Sequence, residues 1–215
     1  MHCVVTAGPT FEPLDNVRRL TNFSTGRLGS KLAEYLAAQG FKVTLLLGEQ
    51  AACTLRPGLQ TILRFSTTAD LAHRLGKLSE AQVDAVFHAA AVSDFRFGKV
   101  WTRGADGQVT EISSGKYSTR QGTLLAELIP TEKIISSLRD WFPRARLVGW
   151  KFEVEGDREG AIRTAREQIT ECRTDACVAN GRAYGPGFGL VQADKTCLHL
   201  LDEAALFPAL AKLVA

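Results

Sequence analysis

Between residues 22 and 29 the chain reads Asn22-Phe23-Ser24-Thr25-Gly26-Arg27-Leu28-Gly29, a run suited to gripping an anion. Its apolar spacing changes to that of a helix from Gly26 on, and a helix start presents unpaired N–H groups and the positive end of its dipole. Gly26 and Gly29 let the backbone approach a phosphate closely, and Ser24 or Thr25 adds a hydroxyl donor. Arg18 and Asn22, just upstream, supply a guanidinium fork and an amide that donates without titrating. Three further segments carry residue types seldom used for packing alone. They are Thr6-Ala7-Gly8-Pro9-Thr10, Ala89-Ala90-Ala91-Val92-Ser93-Asp94 and Val178-Ala179-Asn180-Gly181. Each follows an apolar run that reads as a strand. Open parallel sheets bind ligands at the carboxyl ends of their strands, so all four segments are expected to meet in one cleft.

The elements that must position them are legible from period and punctuation. Short apolar runs at Val4–Thr6, Lys42–Leu47, Thr61–Phe65, Val83–Ala89, Arg146–Trp150 and Asp175–Ala179 read as strands. Between them, helical spacing runs from Gly26 to a stop at Gly40, from Ala69 to Leu78 behind a Thr67 or Thr68 cap, from Thr131 to Trp141, and from Asp157 to Cys172. Leu190–Ala193 and Cys197–Leu201 suggest a closing hairpin turning at Asp194-Lys195, and Ala204–Val214 a last helix. Alternating strands and helices imply an α/β fold: a Rossmann-like three-layer sandwich on a mainly parallel sheet. The stretch from about 93 to 128 breaks the pattern with repeated glycines. It reads as an antiparallel insertion, with Val109–Ser113 pairing against Thr123–Leu128, in a single domain spanning 1–215.

Composition narrows the function classes. The 215 residues carry 26 Lys+Arg against 23 Asp+Glu, a net charge of +3, too balanced to argue for nucleic acid or a membrane surface. No window is long and apolar enough for a membrane span, and no export signal is visible, so a cytoplasmic protein is expected. The five cysteines form no C-x-x-C pair, which points to free thiols and no metal site. A nicotinamide-dependent reductase suits the fold, with Glu49 available to a ribose. In that class, however, the glycines follow the first strand directly, whereas here about 15 residues intervene after Gly8. No Tyr-x-x-x-Lys pair is present either.

Taken in order, Thr6-Ala7-Gly8-Pro9-Thr10, Glu12-Pro13-Leu14-Asp15 and the block from Val17-Arg18 through Asn22-Phe23-Ser24-Thr25-Gly26 to Gly29 resemble the opening signature of the phosphopantothenoylcysteine synthetases, the phosphopantothenate–cysteine ligases of coenzyme A biosynthesis. The resemblance continues through Ala90-Ala91-Val92-Ser93-Asp94, Ile112-Ser113-Ser114, Lys133-Ile134-Ile135, Val148-Gly149-Trp150-Lys151-Phe152-Glu153 and Val178-Ala179-Asn180. It implies a stand-alone ligase without the flavoprotein decarboxylase half, working as a homodimer with Mg²⁺ and CTP or ATP. In such enzymes the substrate carboxylate attacks the α-phosphate and pyrophosphate leaves. The cysteine amine then takes the acyl group and the mononucleotide departs.

By that resemblance Gly8, Ser24, Gly26 and Gly29 hold the nucleotide and its phosphates, with Trp150 and Asn180 at the nucleoside end. Asn22 binds the reacting carboxylate and acyl intermediate. Ala90, Ala91 and Asp94 line the pantothenate site, and Arg18 reaches the substrate phosphate of the neighbouring subunit. Phosphates supply most of the Mg²⁺ ligands, in keeping with the absence of a carboxylate cluster. The family's flap lysine is replaced by Glu111, an anion where a cation is expected. This leaves open a ligase in which Lys116 substitutes, or a homologue of altered or lost activity. Further departures are Gly181 where an acidic residue often follows, and Trp150 where phenylalanine is common.

Overall fold

The computed structural model describes residues 1–215 except 57, 60, 119, 121, 195 and 215. Six parallel strands form the centre of the main sheet: β1 (His2–Ala7), β4 (Lys42–Gly48), β5 (Thr61–Phe65), β6 (Ala85–His88), β10 (Arg146–Phe152) and β11 (Ala176–Asn180). The antiparallel hairpin β12 (Phe188–Gln192) and β13 (Cys197–Leu200) extends one edge. The resulting order is β13-β12-β11-β10-β6-β1-β4-β5. The chain starts in the middle, winds outward to β5, then crosses back to β6 on the other side of β1. The crevice between the ends of β1 and β6 is therefore the topological switch point, where doubly wound sheets bind ligands. Lys195, placed at the turn of the closing hairpin by the sequence, lies outside the described residues.

Alternation of side chains along each strand builds two cores. Val5, Leu45, Phe87, Val148 and Val178 face α1 (Arg27–Ala38) and α5 (Glu203–Lys212). One residue earlier or later, Val4, Leu46, Val86 and Leu147 face α2 (Thr68–Leu78) and α3 (Ile134–Trp141). Cys177, Ala179 and Val191 pack beneath α4 (Arg158–Cys172). Strands buried on both faces read as continuous apolar runs, which is why they were visible in the sequence. The helix starts also follow local chemistry: Thr67 accepts from Asp70 N, Asp157 from Gly160 N and Asp202 from Ala205 N. Helix α3 starts three residues later than its apolar spacing suggested. Thr131 is held instead by its N–H on Asp94 O (2.9 Å) and its hydroxyl on Ser93 O.

Two readings of the sequence are corrected. The strands at Val109–Ser113 and Thr123–Leu128 do not pair with each other. A strand the sequence analysis missed, β7 (Phe95–Arg103), lies between β8 (Val109–Ile112) and β9 (Thr123–Pro130) in a separate sheet of order β8-β7-β9. Gly98 obscured it: a register shift between Phe97 and Val100 interrupts the two-residue period there. Likewise the run before α1 does not open directly into helix. β2 (Phe11–Pro13) and β3 (Arg19–Thr21) first form a small hairpin. All five cysteines are free, Cys3, Cys172 and Cys177 being buried. Among the described residues no helix is long and apolar enough to cross a membrane.

Candidate functional site

Three of the four strand-end segments meet at the switch point. Beyond the ends of β1 and β6 the chain stays zipped: Ala91 N donates to Gly8 O (3.0 Å) and Thr10 N donates to Ala91 O (3.1 Å). Asn22 ties the third segment to this seam. Its amide nitrogen donates to Ala91 O (3.3 Å) and Val92 O (3.0 Å). Asn22 thus spends its donors on the chain and fixes the approach to α1. The helix itself begins at Gly26, a left-handed N-cap (φ 73°) with no side-chain cap. Between residues 16 and 31 the chain carries Arg18, Arg19, Arg27 and Lys31 and no acidic residue, so this corner is cationic. Part of the charge is balanced by Glu203, which pairs with Lys31 (2.6 Å) and Arg27 (3.3 Å).

The glycines here have packing reasons of their own. A Cβ on Gly26 would stand 3.1 Å from the Gly8 backbone, and one on Gly29 would stand 2.7 Å from Ala7 Cβ. Gly8 and Gly26 both have positive φ, so a side chain at either would also strain the backbone. The close approach of α1 to β1 therefore requires Gly29, and the turn requires Gly8 and Gly26. Ser24 Oγ lies 3.4 Å from Gly26 N, a long contact that leaves the hydroxyl weakly held.

Arg18 is engaged within the chain. Its Nε and Nη2 both donate to Asp15 Oδ2 (3.1 and 2.6 Å), and Nη2 also donates to Tyr117 O (2.7 Å). The Arg18 guanidinium, helped by the backbone N–H groups of Val17, Arg18 and Tyr117, holds the Asp15 carboxyl well below the usual carboxylate range. Asp15 was given no role from the sequence. Its place three residues before Arg18, at the mouth of a hairpin, was the available signal. The pair ties the β2–β3 hairpin to the stretch that carries Lys116. That residue is exposed, its backbone N–H held by Ser114 Oγ (3.2 Å). Glu111 sits on β8 and pairs with Lys99 of β7 at 2.9 Å, its hydrogen bond raising the Lys99 pKa. The anion at the flap-lysine position is thus offset locally.

On the other side of the 89–94 segment lies a cavity of about 470 Å³ between β6, β10, α3 and α4. Ala90, Asp94 and Trp150 from the sequence-derived set line it; Gly8, Asn22, Ser24, Gly26 and Gly29 do not. Its charged lining is Asp94, Glu132, Glu167 and Glu171 against Lys133 and Lys151. Trp150 also packs against the α1–α5 core, and its indole nitrogen is buried without a partner among the described residues. Asn180 is not brought to this cavity. It ends β11 beside Phe152, and its Oδ1 is buried and unpartnered among the described residues. The segment 89–94 is therefore a shared wall, with a cationic corner on one side and a mildly acidic cavity on the other. His88 and Gln168, which line the cavity, carried no signal in the sequence beyond their places on a strand and a helix.

Residues 1–213 match the family model described as the DNA/pantothenate metabolism flavoprotein C-terminal domain. The coenzyme A biosynthesis bifunctional protein CoaBC of Thermococcus kodakarensis is 34% identical over 184 residues, covering 85% of this chain and 42% of that protein. The chain thus spans less than half the length of that relative. Among solved structures, the DNA/pantothenate metabolism flavoprotein from Streptococcus pneumoniae superposes with a TM-score of 0.84 at 25% identity, covering 100% of this chain and 98% of that one. A Cab2 mutant in complex with phosphopantothenate-cysteine shares the fold, with a TM-score of 0.73 at 18% identity over 99% of this chain and 86% of that one.

Proposed function

The chain belongs to the DNA/pantothenate metabolism flavoprotein C-terminal domain family, and on that premise we propose that it joins 4'-phosphopantothenate to cysteine through an acyl-nucleotidylate, releasing pyrophosphate and a mononucleotide. The observation that carries this reading is the seam at the switch point, where Gly8, Ala91 and Asn22 meet beside an uncapped helix start. The cationic corner from Arg18 to Lys31 takes the polyphosphate, with Ser24 and the N–H groups at Gly26 to Gly29 as donors. The cavity beyond the shared wall takes the nucleoside, with Trp150 along its side. Asn180 stands one strand further out. Asp94, Ala90 and Ala91 place the pantothenate end so that its carboxylate meets the α-phosphate across the seam. Asn22 holds that seam in register through its bonds to Ala91 O and Val92 O, and so acts on the reacting carboxylate and acyl intermediate by positioning.

The chemistry asks little of the protein beyond positioning two anions and stabilising the charge that develops between them. Mg²⁺, when bound, offsets the triphosphate charge. Its ligands would be mainly phosphate oxygens, a donor set that suits this cation. Lys116, on the segment anchored by Asp15 and Arg18, is the cation available to cover the intermediate. Arg18 has Nη1 left for a substrate phosphate of a neighbouring subunit. The β8-β7-β9 sheet, with Phe95, Val109 and Leu128 exposed, is the surface we assign to homodimer contact.

The test is pyrophosphate release from purified protein given 4'-phosphopantothenate, cysteine, Mg²⁺ and either CTP or ATP. Release with one nucleotide supports the reading. Binding of nucleotide and acid without release favours the second reading, a homologue of altered or lost activity, for which the Lys99–Glu111 pair at the flap position is the specific observation. A thermal shift with NADPH and with neither CTP nor ATP would return the fold to a reductase.

A further inference from the structure

The cavity wall holds a buried histidine that none of these roles uses. His88 ends β6, is 6% exposed and lines the cavity. Its Nδ1 lies 3.0 Å from Thr6 Oγ1, and the same oxygen accepts the Ala90 N–H at 3.1 Å. Thr6 is wholly buried. Among the described residues its hydroxyl proton has no acceptor other than His88 Nδ1. A proton on Nδ1 would strand that O–H in the core. The arrangement that satisfies every group runs from Ala90 N–H to Thr6 Oγ1 and from Thr6 O–H to His88 Nδ1. The neutral ring then carries its proton on Nε2, which has no protein partner among the described residues. Burial also disfavours the imidazolium, drawing the His88 pKa down to about 4.

A second donor stands beside it. Gly149 is the register partner of His88 on β10, and the Gln168 amide nitrogen lies against Gly149, buried and unpartnered among the described residues. The Cys177 thiol points at Gln168 Oε1 (3.8 Å), which turns the Nε2 end of the amide away from Cys177. Burial raises the Cys177 pKa to about 12, so the thiol keeps the proton it donates. The Gln168 nitrogen is a buried donor without an acceptor among the described residues, which is costly and rare, whereas His88 lines the open cavity. Both donors are neutral. The charged groups around them are four carboxylates and two lysines, a setting that repels phosphate and tolerates an uncharged ring.

We propose that His88 Nε2–H, with the Gln168 amide as second donor, recognises an acceptor atom of the nucleotide base, a ring nitrogen or exocyclic carbonyl, in this cavity. The proposal rests on the reading of the cavity as the nucleoside pocket. It makes His88 a specificity residue for the base and leaves the polyphosphate to the opposite side of the wall.

The experiment uses the full chain with CTP, ATP and inorganic tripolyphosphate as probes, measured by titration calorimetry. His88→Leu should bind the preferred nucleotide about tenfold more weakly, the worth of one lost donor. Tripolyphosphate affinity and the KM for cysteine should stay unchanged. His88→Gln, which keeps an N–H at the Nε2 position, should recover part of the loss. Equal affinity of His88→Leu and the wild type for the nucleotide overturns the proposal, as does an equal loss for tripolyphosphate. Wild-type protein that binds neither CTP nor ATP overturns the nucleotide reading itself, a result distinct from the first two. Should His88→Leu fail to fold, ring-¹⁵N histidine spectra of the wild type decide. A proton found on Nδ1, or an Nε2 resonance unmoved by saturating nucleotide, overturns the assignment.

Discussion

Gly29→Ala separates packing from phosphate approach at the start of α1. A Cβ on Gly29 would lie 2.7 Å from Ala7 Cβ and 3.1 Å from Thr6 O. Carbon atoms rest at roughly 3.5–4.0 Å, so α1 must lift from β1 by about 1 Å or the strand must yield. All six residues of β1 are buried in the middle of the sheet, which leaves the helix as the part that moves. Overpacking of this kind costs about 1–3 kcal/mol, while alanine gains about 1 kcal/mol over glycine in helix propensity. The net expectation is a loss of up to about 2 kcal/mol, a fall in Tm of up to roughly 4–8 °C for a chain of this size. Gly76 provides the control. It sits in α2 with nothing within 4 Å of its Cβ position, so Gly76→Ala should stabilise by up to about 1 kcal/mol. Urea denaturation of both variants reads the contrast. A Gly29→Ala protein stabilised as much as Gly76→Ala would refute the packing argument and leave close approach of a ligand as the reason for the glycine.

Three other outcomes are expected. Asn22→Ala should lower turnover by on the order of a hundredfold while changing unfolding free energy by about 1 kcal/mol or less, since the lost hydrogen bonds are exposed; unchanged turnover removes Asn22 from the mechanism. Lys116→Gln should cut turnover by about tenfold or more if its charge covers the intermediate; an effect no larger than that of a Lys42→Gln surface change rejects the displaced-lysine idea. His88 makes stability depend on pH: its folded pKa of about 4 lies below the value near 6.5 of a free histidine, so the unfolded chain binds the proton first. Stability should be full above pH 6.5 and fall as pH drops toward 4, by on the order of 3 kcal/mol. A urea midpoint that falls equally steeply in His88→Gln between pH 7 and 4.5 would contradict this.

The elements of the main sheet were readable because both faces of its central strands are buried and because the starts of α2, α4 and α5 carry their own caps. Period and punctuation are local properties, and Lys42–Gly48 or Asp157 ahead of α4 needs no distant partner to declare itself. The motif blocks at Thr6–Thr10, Asn22–Gly29 and Ala90–Asp94 were readable for the same reason: each keeps its chemistry within a few adjacent residues. What stayed hidden depends on who lies next to whom. The strand Phe95–Arg103 escaped notice because Gly98 breaks its alternation, and only pairing on both sides shows it as the centre of a sheet. The order of strands, not their presence, puts the ends of β1 and β6 at the switch point and makes Ala89–Asp94 a wall with a cationic corner on one side and a cavity on the other. The role of Asp15 required its contact with Arg18 and Tyr117, and that of His88 required Thr6, 82 residues away. Local free energies, carried by propensity and capping, are written in the order of residues. Hydrogen bonds, ion pairs and cavities between distant segments exist only after the chain closes on itself.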